Sequence, residues 1–305
     1  MSFTSPQTPV THIKTHCVNG IGIFYREAVP VNKVDAPLIL LLHGFPSSSF
    51  QYRNLIPLLA SKYHVIAPDF PGFGFTRVPL AGAPAGPDAA PPFAYTFDSI
   101  AKVIIDFTSA LNLQKFAIYM FDYGAPVGFR LAVERPNSVT AIITQNGNAF
   151  VQGFGPFWDQ VKVYWEDATA ENRESLRYLT TFPATKSQYT TGEASPESIP
   201  PETYYLDQAL MDRKGNADIQ LDLLYDYRRN IDLYPLFHEY LRKNKPPLLA
   251  VWGKNDTIFI PPGAEAYRTV LPEAEVHFID GGHFVLENHL TEVEDIILRF
   301  LDDNL

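Results

Sequence analysis

Four short segments of the 305-residue chain carry side chains able to do chemistry together: His43-Gly44-Phe45-Pro46, Asp122-Tyr123-Gly124, Asp256 after Trp252-Gly253, and His283 after Gly281-Gly282. An aspartate has a reference pKa of about 3.9, so Asp122 is ionised at neutral pH and can attack a saturated carbon without a base to activate it. A histidine titrating near neutrality suits His283 to activate water, a step worth about 10²–10⁴-fold. Asp256 would hold the other imidazole nitrogen and fix its tautomer. The glycine after His43 lets backbone approach a reacting oxygen, so the amides of Phe45 and Tyr123 form a candidate oxyanion hole. Asp122 taken alone could equally be a helix N-cap, and Asp256 an Asx-turn residue. The chain order of nucleophile, acid and histidine favours catalysis for all three.

These residues need a scaffold that brings distant segments to one edge. Apolar runs bounded by turn signals predict strands over 21–27, 38–42, 63–67, 116–121, 141–144, 248–252 and 275–279. Helical periodicity predicts helices over 97–111, 127–134, 264–270 and 287–301. Such alternation makes a mainly parallel sheet covered on both faces, with ligands bound beyond the carboxyl ends of its strands. Asn19-Gly20 offers a tight turn between two amino-terminal strands. The expected organisation is one α/β core in two parts, 1–147 and 233–305, with a helical lid inserted over 148–232. The Ala/Pro/Gly-rich stretch 78–92 reads as an irregular surface loop.

Composition narrows the function. With 24 basic against 34 acidic side chains and a formal charge of -10, the chain has no basic stripe for nucleic acid. Cys17 is the only cysteine, which excludes an internal disulfide. No run approaches the ~20 apolar residues of a membrane helix, and the first twenty residues lack a basic-then-apolar leader pattern, so a cytoplasmic protein with no membrane partner is expected. His12 and His16 lack further ligands nearby, and neither a metal nor an organic cofactor is expected. Oligomeric state is left open.

The whole pattern resembles the α/β-hydrolase superfamily, and within it the Asp-nucleophile branch of epoxide hydrolases and haloalkane dehalogenases. His43-Gly44-Phe45-Pro46 matches the His-Gly-x-Pro signature of that branch, and Asp69-Phe70-Pro71-Gly72-Phe73-Gly74 is similar to its next turn. No Gly-x-Ser-x-Gly motif occurs. The resemblance implies an α/β-hydrolase fold and a covalent alkyl-enzyme ester on Asp122. It also implies two lid tyrosines that hydrogen-bond an epoxide oxygen, carried over to Tyr164 and to Tyr227 in Tyr227-Arg228-Arg229-Asn230. Haloalkane dehalogenases place a halide-binding Trp after the nucleophile, where this chain has Tyr123. Hydrolysis of a small apolar epoxide is therefore the leading expectation, with carbon–halogen hydrolysis and a ligand-binding protein without turnover as alternatives. The aromatics Phe150, Phe154, Phe157, Trp158 and Trp165 suggest an apolar electrophile between lid and sheet, with Trp165 and Phe157 as candidate substrate contacts.

Overall fold

Period-two alternation in the strand segments decides which way each side chain faces, and the computed structural model, which describes residues 9–31, 33, 35–79 and 92–305, shows both faces filled. Eight strands form one sheet in the order β1-β2-β4-β3-β5-β6-β7-β8. They are β1 (His12–Val18), β2 (Ile21–Ala28), β3 (Leu38–Leu42), β4 (His64–Pro68), β5 (Phe116–Phe121), β6 (Val139–Gln145), β7 (Leu248–Gly253) and β8 (Glu275–Ile279). The first two pair antiparallel about the expected turn, where Asn19 and Gly20 both take positive φ. From β4 onward every pairing is parallel. His12 is exposed and His16 half-buried on β1.

Leu40, Leu42, Ile118, Met120, Ile142, Ala250 and Trp252 face one layer of the core, and Ile39, Leu41, Ala117, Tyr119, Phe121, Ile143 and Val251 face the other. Core helices α1 (Leu55–Leu59), α2 (Phe97–Ala110) and α3 (Gly124–Glu134) precede a helical insertion between β6 and β7. The insertion contains α4 (Phe157–Glu166), α5 (Ala170–Ser175), α6 (Phe182–Thr190), α7 (Glu202–Met211), α8 (Asn216–Asp226) and α9 (Arg228–Asn244). The chain ends with α10 (Pro262–Val270), α11 (Val285–Asn288) and α12 (Leu290–Asn304). Side chains of α2, α3 and α10 fill the first layer, and those of α1 and α12 fill the second. This is the α/β-hydrolase fold. The helix expected over 287–301 is broken, with His289 between α11 and α12. Of the loop expected over 78–92, residues 80–91 lie outside the described residues. Among the described residues no helix is long and apolar enough to cross a membrane.

Lid and core are tied by specific bonds. The Asp226 carboxylate accepts the Phe97 amide at the start of α2 at 2.8 Å, and the Trp158 indole donates to the Ile258 carbonyl at 3.1 Å. The tightest constraint lies within the core, where α3 begins directly beneath β3. A Cβ on Gly124 would be driven into the Leu42 carbonyl, which is backbone and cannot swing aside. Gly124→Ala should therefore cost about 1–3 kcal/mol of stability by overpacking, read in chemical denaturation, with an unchanged midpoint contradicting the packing argument.

Candidate active site

The strand order reverses around β3, whose neighbours β4 and β5 follow it on opposite sides, and the crevice at such a reversal is where open α/β sheets bind ligands. The loop after β3 carries Phe45, and the turn after β5 carries Asp122. Asp122 has φ +48°, a left-handed conformation rare for a residue with a side chain, and it forces the carboxylate out at a sharp strand-to-helix turn. Its N-cap reading does not hold, because Tyr123 is the capping position of α3. Gly44 makes the turn possible, since a Cβ there would overlap the Asp122 carboxylate.

Asp122 is 3% exposed, and its Oδ1 accepts the Phe45 amide at 2.6 Å. Burial pushes its carboxyl up to about 6, opposed by the charge of His283 and by the Phe45 and Tyr123 amides. Its other oxygen lies 3.8 Å from His283 Nε2. That nitrogen is buried without a partner, while His283 Nδ1 lies 2.8 Å from Asp256 Oδ2. The network assigns the proton to Nδ1 and leaves Nε2 free to accept one. Burial disfavours the imidazolium, but the Asp256 and Asp122 carboxylates outweigh it and raise the His283 pKa.

Asp256 is held from two further sides. The Ile258 amide donates to Oδ1 at 2.8 Å, and the Asn146 side-chain amide donates to Oδ2 at 2.7 Å. Asn146 itself has φ +46° at the end of β6, and its carbonyl oxygen accepts the Gly253 amide at 3.3 Å. Sequence reasoning missed it. Its only signal was a polar residue after a buried strand, in Gln145-Asn146-Gly147-Asn148. His43 is structural in its bonding: burial pushes it down to about 3, and its Nε2 accepts the Phe70 amide at 2.9 Å.

Two phenols lie near enough to Asp122 to feel its charge. The Tyr123 and Tyr227 rings are 5.8 Å apart and both hydroxyls are buried; the Tyr123 hydroxyl has no hydrogen-bond partner among the described residues, while the Tyr227 hydroxyl is close enough to that of Tyr234 for the two to interact. Burial raises both pKa values well above 10, so each keeps its proton. Tyr164 departs from expectation. Its ring packs on Tyr225 at 4.8 Å, beside Arg173 and Asp222 of the lid, because the rotation of α4 turns it towards α8. The next residue, Trp165, lies parallel to the Tyr227 ring at 6.2 Å, and Tyr234 belongs to the same aromatic group. Phe157 lines a cavity of about 150 Å³ whose walls include His283, Asp256, Ile258, Leu179 and Gln188.

With this geometry in view, the likenesses to known proteins agree on the scaffold. The alpha/beta hydrolase fold family matches residues 37–290, and the chain belongs to it as a hydrolase of that fold. It is 43% identical to the uncharacterized hydrolase YNR064C of Saccharomyces cerevisiae over 95% of this chain and 97% of that one. It is 26% identical to haloalkane dehalogenase 2 of Mycobacterium bovis, covering 84% of this chain and 82% of the relative. Among solved structures, the epoxide hydrolase CorEH superposes with a TM-score of 0.74 at 21% identity, over 96% of this chain and 99% of that one, a likeness of fold.

A nucleophilic Asp122 and a basic His283 would each have to be deprotonated, and both pKa values are raised. Activity should therefore fall as pH drops through the region around and above 6. Asp256→Asn removes the carboxylate that raises His283, so the acid limb of the kcat profile should move to lower pH while kcat drops about 10²-fold or more. A limb that stays in place would show that Asp256 does not set the His283 titration.

Proposed function

We propose that the chain hydrolyses a small apolar epoxide to a diol through a covalent ester on Asp122. The observation that carries this reading is a buried carboxylate that shares its surroundings with two buried, protonated phenols, Tyr123 and Tyr227. An Asp122 oxygen attacks an epoxide carbon, the carbon–oxygen bond breaks, and the departing alkoxide takes a proton from Tyr227. Charge developing on that oxygen is stabilised by phenol donors waiting in a water-poor site. Tyr123 stands as the second phenol, in place of the lid Tyr164 expected from the sequence.

His283, oriented by Asp256, then removes a proton from water, which adds to the Asp122 carboxyl carbon. The developing oxyanion sits where Oδ1 already accepts the Phe45 amide, with the Tyr123 amide as the second donor. Collapse expels the diol oxygen, which takes the proton of the added hydroxyl, and restores the carboxylate with one oxygen from water, while the proton held on His283 returns to the Tyr227 phenolate. Aromatic walls around Tyr227, including Trp158 and Trp165, suit an apolar substrate.

Carbon–halogen hydrolysis uses the same ester, and the identity with haloalkane dehalogenase 2 keeps it as a second reading. The tryptophans speak against it. All three indole N–H groups are committed to backbone carbonyls: Trp158 to Ile258, Trp165 to Leu224 at 2.7 Å and Trp252 to Phe259 at 2.6 Å. None is free to receive a halide.

His283→Gln should trap the ester, so intact mass after mixing with an aryl epoxide should rise by the mass of the epoxide, and Asp122→Asn should abolish the rise. An alkyl adduct formed only from a terminal haloalkane, with halide release, would replace the epoxide reading by the dehalogenase one. In single turnover of the wild type in labelled water, label should enter the enzyme carboxylate before the product. Tyr227→Phe should slow ester formation from the epoxide by about 10²–10³-fold, the usual loss for one such donor. An unchanged rate would remove Tyr227 from the chemistry.

A further inference from the structure

The loop that carries His283 is gripped from the lid. Glu193 follows α6, its carboxylate is 1% exposed, and among the described residues no Lys or Arg forms an ion pair with it. Its Oε1 accepts the Gly282 amide at 2.7 Å, one residue before His283. Its Oε2 lies 3.1 Å from the Asn288 side-chain nitrogen and 3.1 Å from His289 Nε2, both just beyond His283 in the chain. One lid side chain thus bonds on each side of the candidate base.

The surrounding backbone is built for this approach. Gly192 takes φ +88°, and a Cβ there would press on Asn255 and on the Gly282 backbone. Asn255 donates its side-chain amide to the Gly192 carbonyl at 3.0 Å, so the same lid turn also touches the residue before Asp256. A carboxylate taken out of water needs such donors to remain favourable, and a group placed by several short bonds has little freedom.

We propose that Glu193 is a positioning residue for His283, setting where Nε2 sits for the ester-hydrolysis half of the reaction and leaving the Asp122 attack untouched. The inference rests on the covalent-ester reading above. Asp122 is placed by β5, α3 and the Phe45 amide, none of which Glu193 contacts, whereas the loop 281–289 owes three side-chain-mediated bonds to it.

The test is rapid-quench kinetics on the full-length enzyme with an aryl epoxide, following ester-enzyme by intact mass in wild type, Glu193→Ala, Glu193→Asp, Glu193→Gln and His283→Gln. Glu193→Ala should form ester at a rate within about twofold of wild type but hydrolyse it about 10–100-fold more slowly, since misplacing a catalytic group by roughly 1 Å can cost about 10²-fold. Ester should accumulate at steady state. Glu193→Gln, whose amide oxygen still accepts the Gly282 amide, should restore most of the hydrolysis. Glu193→Asp, one methylene too short for both sets of bonds, should accumulate ester and covers the case in which the alanine variant does not fold. Ester hydrolysis at the wild-type rate in the variants, or equal slowing of both steps, while His283→Gln traps ester, overturns the positioning role alone. If His283→Gln traps no ester, the covalent reading itself is wrong and this inference falls with it.

Discussion

The arrangement depends on keeping an anion buried without a cation beside it. Among the described residues no lysine or arginine is bonded to Asp122, and an isolated buried carboxylate would simply take up a proton. Its pushed-up pKa shows how much of that cost remains. What offsets the rest is the Phe45 amide, the Tyr123 amide and the charge of His283 when that ring is protonated. The reversal of strand order puts the loop after β3 beside the turn after β5, the left-handed Asp122 backbone aims the side chain across, and glycine at 44 lets the two backbones meet. The same amides that stabilise the resting carboxylate would meet the oxyanion of the proposed hydrolysis step, so ground state and intermediate share one set of donors.

The rest of the site continues along the sheet. Phe45, Asp122, Asn146, Asp256 and His283 follow the carboxyl ends of β3, β5, β6, β7 and β8, which are consecutive neighbours in the sheet. Each strand therefore contributes one group: the β3 loop bonds Asp122, Asn146 bonds Asp256, and Asp256 bonds His283. Asn146 ties the end of β6 to that of β7, since it donates to Asp256 and accepts from the backbone of β7. Asp256 is left with fully bonded oxygens, which suits a residue that orients an imidazole and takes no proton itself.

Much of this was legible from residue pattern alone, because parallel strands buried on both faces read as short apolar runs and the reactive residues stand immediately after them. Asn146 was not, since asparagine after a strand has the composition of any turn and its partner is 110 residues away. Glu193 escaped for the same reason, its bond to Gly282 spanning 89 residues. Tyr164 shows a different limit. Adjacent residues on a helix point about 100° apart, so the sequence could place an aromatic pair on α4 but not decide whether Tyr164 or Trp165 would meet Tyr227. That choice belongs to the docking of α4 on α8. The break at His289 is likewise tertiary, since that residue's ring turns to the lid carboxylate of Glu193.

The proton inventory separates the two kinds of leaving group. A halide departs as a stable anion and needs only N–H donors to receive it. An alkoxide departs as a strong base and must be given a proton. Around Asp122 the indole donors are already spent on backbone carbonyls, while two phenols hold protons that burial keeps in place far beyond neutral pH. Because an unpartnered buried hydroxyl costs free energy in the resting protein, that of Tyr123 is a strain that a substrate oxygen would relieve as it acquires charge. The donors would then bind most strongly at the moment of ring opening, which is the condition for lowering a barrier and not merely tightening a complex.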